Sequence, residues 1–175
     1  MAKNIAVATL VLMLALVNWL IIGKERQLAT GRIVYLALAP VDPRSLMQGD
    51  YMALRFQLAD QLSRKIGQRT DRYGRVETMP AVDDFVAISL DDRNIGTYKE
   101  IDTTRPLAEN ELLLHFRVRD GQVRLATNAF FFQEGHAHYY ETARYGQFRV
   151  DGKGDLLLAA MYDKDLKKLG PPEKQ

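Results

Sequence analysis

Residues 5–22 read IAVATLVLMLALVNWLII, an apolar run with no charge and only Thr9 and Asn18 as polar interruptions. As a helix this run is about 27 Å long, close to the roughly 30 Å hydrocarbon core of a bilayer. Trp19 lies near its far end, where an amphipathic ring suits the interface, and Gly23, Lys24, Glu25 and Arg26 mark the return to water. A cleavable signal peptide competes with this reading, but its apolar stretch usually runs about 7–15 residues, and no A-x-A-like site precedes the charges here. The run is therefore read as an uncleaved anchor, with bilayer lipid as its partner through residues 5–22. Lys3 and the amino terminus oppose Lys24 and Arg26 across it, so charge leaves the orientation nearly tied. Anchors with short amino-terminal tails generally export the domain behind them, which sets the expectation of an inner-membrane, single-pass chain with a periplasmic domain.

Beyond a stem at residues 25–30 the pattern changes to short segments of strand character. RIVYLALA at residues 32–39 is rich in β-branched and aromatic residues and ends at Pro40. YMALRFQL at residues 51–58 alternates, with Met52, Leu54, Phe56 and Leu58 on one side and Tyr51, Ala53, Arg55 and Gln57 on the other. It reads as one strand, followed by a short helix at residues 59–66 and a mobile loop or loose hairpin at 67–80. DFVAISL and IGTYKEI flank the turn-forming residues 91–94 and predict a hairpin. ELLLHFRVR and QVRLAT flank Asp120-Gly121, a dipeptide suited to a type I′ turn, and predict a second. The stretch AFFFQEGHAHYYETARYG is compatible with a helix broken at Gly135 or a strand passing into a helix, ended in either case at Gly146. QFRV and LLLAAMY enclose the turn DGKGD, and Pro171-Pro172 closes the ordered part, leaving residues 171–175 as a tail. The expected class is α+β, mainly antiparallel β with short helices, in a single domain spanning residues 31–170.

Composition narrows the function classes. The 175 residues accommodate the anchor and one domain of ordinary size, and 24 basic against 22 acidic residues give a net charge of +2 with no block of like charge. Nucleic acid is therefore not an expected partner. The absence of cysteine removes disulfides, thiolate nucleophiles and thiolate-bound metals.

The string GDYMALRF at residues 49–56 resembles the signature of the GDYXXLXY family of membrane-anchored bacterial proteins, matching at Gly49, Asp50, Tyr51 and Leu54, with Phe56 where the pattern has tyrosine. The DPR segment ahead of it and the late RYGQFRVDGKGDLLLAAMYD are similar too. The resemblance implies an anchored extracytoplasmic domain that works beside another membrane protein. SLMQGDYMALRF also resembles, more weakly, the start of a strand in type I signal peptidases. Aligned on Gly49-Asp50, however, their catalytic serine falls on Val41, which cannot attack a carbonyl.

Turn and strand chemistry accounts for the signature first. Gly49 admits unusual φ angles, Asp50 accepts backbone N–H groups, and Tyr51 and Leu54 begin opposite strand faces. The functional alternative is a wet surface formed by Asp42, Arg44, Asp50, Tyr51 and Arg55, with Gly49 and Leu54 completing the candidate binding set. Glu134, His138 and Glu141 share a face if their segment is helical. They lack the paired-histidine spacing of zinc hydrolases, so the expectation is no metal and no cofactor. His115 is placed on the wetter face of its strand, with Leu113, Arg117 and Arg119. Ser45, Ser63 and Ser89 occur outside any nucleophile elbow, and Gly152-Lys153-Gly154 lacks phosphate-loop spacing. Phe130, Phe131, Phe132, Tyr139 and Tyr140 are expected in the core. These observations favour a non-enzymatic accessory domain presenting the region from Asp42 to Arg55 to a membrane protein. A hydrolase or small-ligand-binding domain using the polar surface around Asp50 is the alternative.

Overall fold

The computed structural model describes residues 2–39, 47–48, 51–67, 81–101 and 105–172. Helix α1 (Ala2–Thr30) carries the apolar run, and within it Thr9 and Asn18 bond back to the carbonyls of Ile5 and Leu14 at 2.9 and 2.8 Å. Their polarity is thus satisfied inside the helix, as a bilayer demands. The helix is long and apolar enough to span a membrane, and its apolar stretch is 0% buried within the protein. The core helix of a soluble protein would instead be covered.

The segment at residues 25–30, expected as a separate stem, is the unbroken continuation of α1. Gln27 explains why it stays helical and docked: its side chain is buried, and its amide donates to the carbonyl oxygens of Arg149 at 3.1 Å and Asp155 at 2.8 Å. Gly31 ends the helix, donating its N–H to the Gln27 carbonyl at 2.9 Å. A Cβ at Gly31 would lie 2.5 Å from that carbonyl oxygen and 3.0 Å from Cβ of Arg149, so the close passage of helix end against sheet requires glycine.

Strand β1 (Arg32–Ala37) then pairs antiparallel with β9 (Tyr145–Val150), which pairs with β10 (Leu156–Tyr162). Their inward positions, Val34, Leu36, Phe148, Val150 and Met161, are almost fully buried. Gly146, expected to terminate a helix, instead lies inside β9. A Cβ there would come 3.1 Å from a Leu158 methyl and 3.2 Å from ring atoms of Phe148 and Phe56. Glycine makes room for the edge-to-face packing of those two rings, whose centroids are 5.3 Å apart.

The second sheet has the order β5-β4-β6-β7, formed by β4 (Val82–Leu90), β5 (Gly96–Glu100), β6 (Glu111–Arg119) and β7 (Gln122–Arg124). Both expected hairpins are present. Asp120 and Gly121 have φ of 53° and 70°, the pair of positive angles that a type I′ turn requires. At the start of β6 the buried Glu111 accepts from Lys99, from Arg105 at 2.7 Å and from the Ala108 N–H at 3.1 Å. Hydrogen bonds from Arg105 and Lys99, ahead of that from Ala108, hold its carboxyl down at about 2.

A third, small sheet joins β2 (Met47–Gln48), β3 (Tyr51–Ala53) and β8 (Ala129–Phe131). The stretch at residues 51–58, expected as one strand, divides: β3 stops at Ala53, and helix α2 (Gln57–Gly67) begins at Gln57. The alternation of burial survives, because Met52, Leu54, Phe56 and Leu58 all enter the core. The period changes at Leu58, after which Leu62 is the next fully covered position, four residues on, as a helix requires. The described part of the expected loop at 67–80 is Gly67 alone, which closes α2. In the stretch from 129 to 146 the strand-then-helix alternative is the closer one, since β8 is followed by a single 3-10 turn, Ala137–Tyr139.

Backbone bonds stitch the sheets around one core. Tyr35 donates to the Asn94 carbonyl at 2.9 Å, Ala39 to Arg55 at 2.7 Å, and His115 to Gly154 at 2.9 Å. The result is a mainly antiparallel β domain carrying one long apolar helix and one short amphipathic one among the described residues.

Candidate functional site

Of the signature surface, Asp42, Arg44, Gly49 and Asp50 lie outside the described residues. Tyr51 is half-buried, with its ring 5.8 Å from that of Phe131. Leu54, named for the binding surface, instead faces the core at 7% exposure, and its N–H donates to the Asn128 carbonyl at 2.7 Å. Arg55 is exposed and bonded to Asp60 of α2 at 2.8 Å. The described signature residues thus divide between core and surface, as pleated backbone dictates. A cleft of about 520 Å³ opens beside Arg55, walled by Asp60, Ser63 and Arg64 from α2 and by Gly121 and Gln122 from the β6–β7 turn. Among the described residues that line it there is neither histidine nor lysine, and the carboxylate beside Ser63 is Asp60.

Glu134, His138 and Glu141 do not form a common helical face. Gly135 takes φ of 78° and turns the chain between Glu134 and the 3-10 segment, and His138 Nδ1 lies 3.1 Å from the Gly135 carbonyl. The aromatic run is split: Tyr140 is buried against Phe130 and Phe132, whereas Phe131, expected in the core, is 73% exposed. Period-two geometry in β8 sends the middle ring of the three outward.

The most connected polar cluster is one that sequence reading did not assemble. His115 lies between two carboxylates, with Nε2 2.7 Å from Asp83 and Nδ1 2.9 Å from Asp155. Both contacts are hydrogen bonds when each ring nitrogen carries a proton. Asp83 also receives Arg117 at 3.4 Å and Arg119 at 3.2 Å. Burial opposes ionisation of Asp83, but the hydrogen bond to His115 and the charges of His115, Arg117 and Arg119 outweigh it and hold the carboxyl below its ordinary value. Register builds the cluster: Arg117 sits opposite Asp83 on β4 and opposite Arg124 on β7. Asp155 arrives from the β9–β10 turn, which is docked on β6 through the Gly154 carbonyl.

This cluster forms one wall of a second cleft, of about 450 Å³, lined by His115, Arg117, Arg119, Arg124 and Asp155 and closed on one side by Lys24 of α1. Lys24 follows the apolar run by two positions, so it lies about 3 Å of helical rise beyond Ile22. Its ammonium also bonds Oε1 of Gln27 at 3.1 Å, which ties the rim of the cleft to the residue that docks the helix. The sequence signal was the wet face of ELLLHFRVR, which places His115, Arg117 and Arg119 in a row. Asp83, Arg124 and Lys24 join that row only through tertiary structure.

An apolar helix long enough to cross a membrane, running directly into an antiparallel β domain, is the architecture of a membrane-anchored protein. The chain belongs to the GDYXXLXY family, whose model matches residues 13–161, from within the anchor to the last strand. No curated protein and no solved structure matches it.

Proposed function

We propose that this chain is a non-enzymatic accessory domain, carried on the outer side of an inner bacterial membrane by a signal anchor, that acts beside another membrane protein. The observation that carries this reading is the junction at Gln27 and Gly31, where the spanning helix is hydrogen-bonded and close-packed to β9 and to the turn before β10. A docked helix keeps the domain within reach of neighbours in the same bilayer and denies it the sweep of a flexible tether. Exposed Phe131 beside half-buried Tyr51 puts a solvent-facing ring next to the signature strand, a position from which a contact there can be probed.

Photo-crosslinking from position 131 or 55 in native membranes, followed by identification of the proteins joined, tests this reading. A discrete membrane-protein adduct from position 131 that disappears when Arg55 is changed supports it; the absence of any specific adduct from either position removes it. A topology reporter fused after Gln175 tests the orientation, and a cytoplasmic signal overturns it.

The cleft beside Arg55 supports a second reading, binding or hydrolysis of a small ligand between α2 and the β6–β7 turn. A ligand whose capture is lost on changing Asp60 and Ser63, with crosslinking unchanged, would favour it.

A further inference from the structure

We propose that the cleft between Lys24 and the β6–β7 hairpin binds the phosphate headgroup of an anionic phospholipid. Three observations converge on it. The first is charge. Lys24, Arg117, Arg119 and Arg124 line the cleft against one acidic lining residue, Asp155. Asp83 lies behind Arg117 and Arg119, and Asp120 is 3.9 Å from Arg124 with its carboxylate almost wholly in water. Asp83 on β4 and Asp155 on the β9–β10 turn thus orient His115 and two of the arginines, while Arg124 on β7 faces the cleft with solvated Asp120 at 3.9 Å.

The second is the direct opposition of Arg117 and Arg124 across the antiparallel β6–β7 pair. Like charges directly opposite each other on one sheet face destabilise the pairing. A bound anion relieves that repulsion, and planar guanidinium groups match phosphate oxygens in pairs. The side chains of Arg117, Arg119 and Arg124 are 58%, 44% and 46% exposed, so they retain donors facing solvent.

The third is position. Lys24 follows the apolar run by two positions, which, on the reading of α1 as a membrane span, puts it at the depth of lipid phosphates, and it shares the cleft with arginines from the domain. A soluble phosphate and a phospholipid offer the same oxygens. The location selects the lipid, because its acyl chains can lie along the exposed apolar surface of α1 while its headgroup occupies the cleft.

The test uses the full chain in detergent, loaded with phosphatidylglycerol or phosphatidylcholine, with retained lipid counted by native mass spectrometry. The wild type is expected to retain phosphatidylglycerol in preference. Changing Arg117→Gln, Arg119→Gln and Arg124→Gln together is expected to lower that retention at least about tenfold, given the attraction each surface cation contributes. A control with Lys65→Gln, Arg93→Gln and Lys167→Gln removes the same charge outside the cleft and is expected to retain the lipid. Equal retention of both lipids by the wild type, or equal losses in the two triple variants, overturns the proposal. Binding of inorganic phosphate by the wild type with no preference for phosphatidylglycerol over phosphatidylcholine overturns the lipid as occupant and leaves a soluble anion site. Matching unfolding transitions for the wild type and both variants ensure that a loss reports binding; if the cleft variant does not fold, Arg124→Gln alone, at the open β7 side, is read in its place.

Discussion

The amide of Gln27 donates to the carbonyl oxygen of Asp155 at 2.8 Å, joining the membrane-spanning helix to the turn that also carries one of the two carboxylates on His115. Anchor and polar cluster therefore share a structural element, the β9–β10 turn at Asp155.

Gly31→Ala places a methyl group where the Gln27 carbonyl and the β9 backbone already stand. The strain is expected to destabilise the domain by about 1–3 kcal/mol, the usual cost of overpacking a filled site. Spin labels on α1 and on the β9–β10 turn should show a broader distance distribution in the variant. An unchanged distribution together with unchanged stability would mean that the junction is not a rigid mount.

Much of the β architecture was legible because its determinants are local. Alternation around Asp120-Gly121 and around residues 91–94 specified two hairpins, each of which pairs a strand with its immediate successor in the chain. The division of residues 51–58 was hidden because Leu58 satisfies both a strand continuing from Phe56 and a helix leading to Leu62. Gly146 was misread because its reason for being glycine comes from Phe56 and Leu158, which no local window brings together. The polar cluster was half visible in the same way. The wet face of β6 showed His115 and two arginines, while Asp83 and Asp155 reach them through strand register and turn docking.

Glu111 makes part of the fold depend on pH. Folding lowers its carboxyl from 4.5 to about 2, so the stabilisation from Lys99, Arg105 and the Ala108 N–H is complete above about 4.5 and is lost as pH falls toward 2. Glu111→Gln should melt at a lower temperature than wild type near neutral pH. The gap should narrow progressively through that window, as differential scanning fluorimetry across a pH series would show. A gap that stays constant down to the acid end would assign the loss to packing instead of to ionisation.

The described part of the signature, residues 51–56, is expected to separate by burial. Leu54→Ala removes a side chain that is 7% exposed in the core and should cost about 2–5 kcal/mol in denaturant unfolding of the detergent-solubilised chain. Arg55→Ala exchanges an exposed pair with Asp60 for water and should stay within about 1 kcal/mol of wild type. Comparable losses at the two positions would contradict the assignment of Leu54 to the core and Arg55 to the surface.

Asp83 is the internal counter-ion of the cleft, shared by His115, Arg117 and Arg119 at 2.7, 3.4 and 3.2 Å. Asp83→Asn keeps the shape and a hydrogen-bonding side chain but removes the charge that competes with an incoming anion. If the arginines recognise lipid phosphate, the variant should retain phosphatidylglycerol about threefold or more better than wild type, with retention falling more steeply as salt is added, because more unneutralised cation faces the bilayer. Phosphatidylcholine retention should change little, since its headgroup carries no net charge. A fall in phosphatidylglycerol retention would show instead that the carboxylate is needed to hold Arg117 and Arg119 in place, giving Asp83 a positioning role that outweighs its charge.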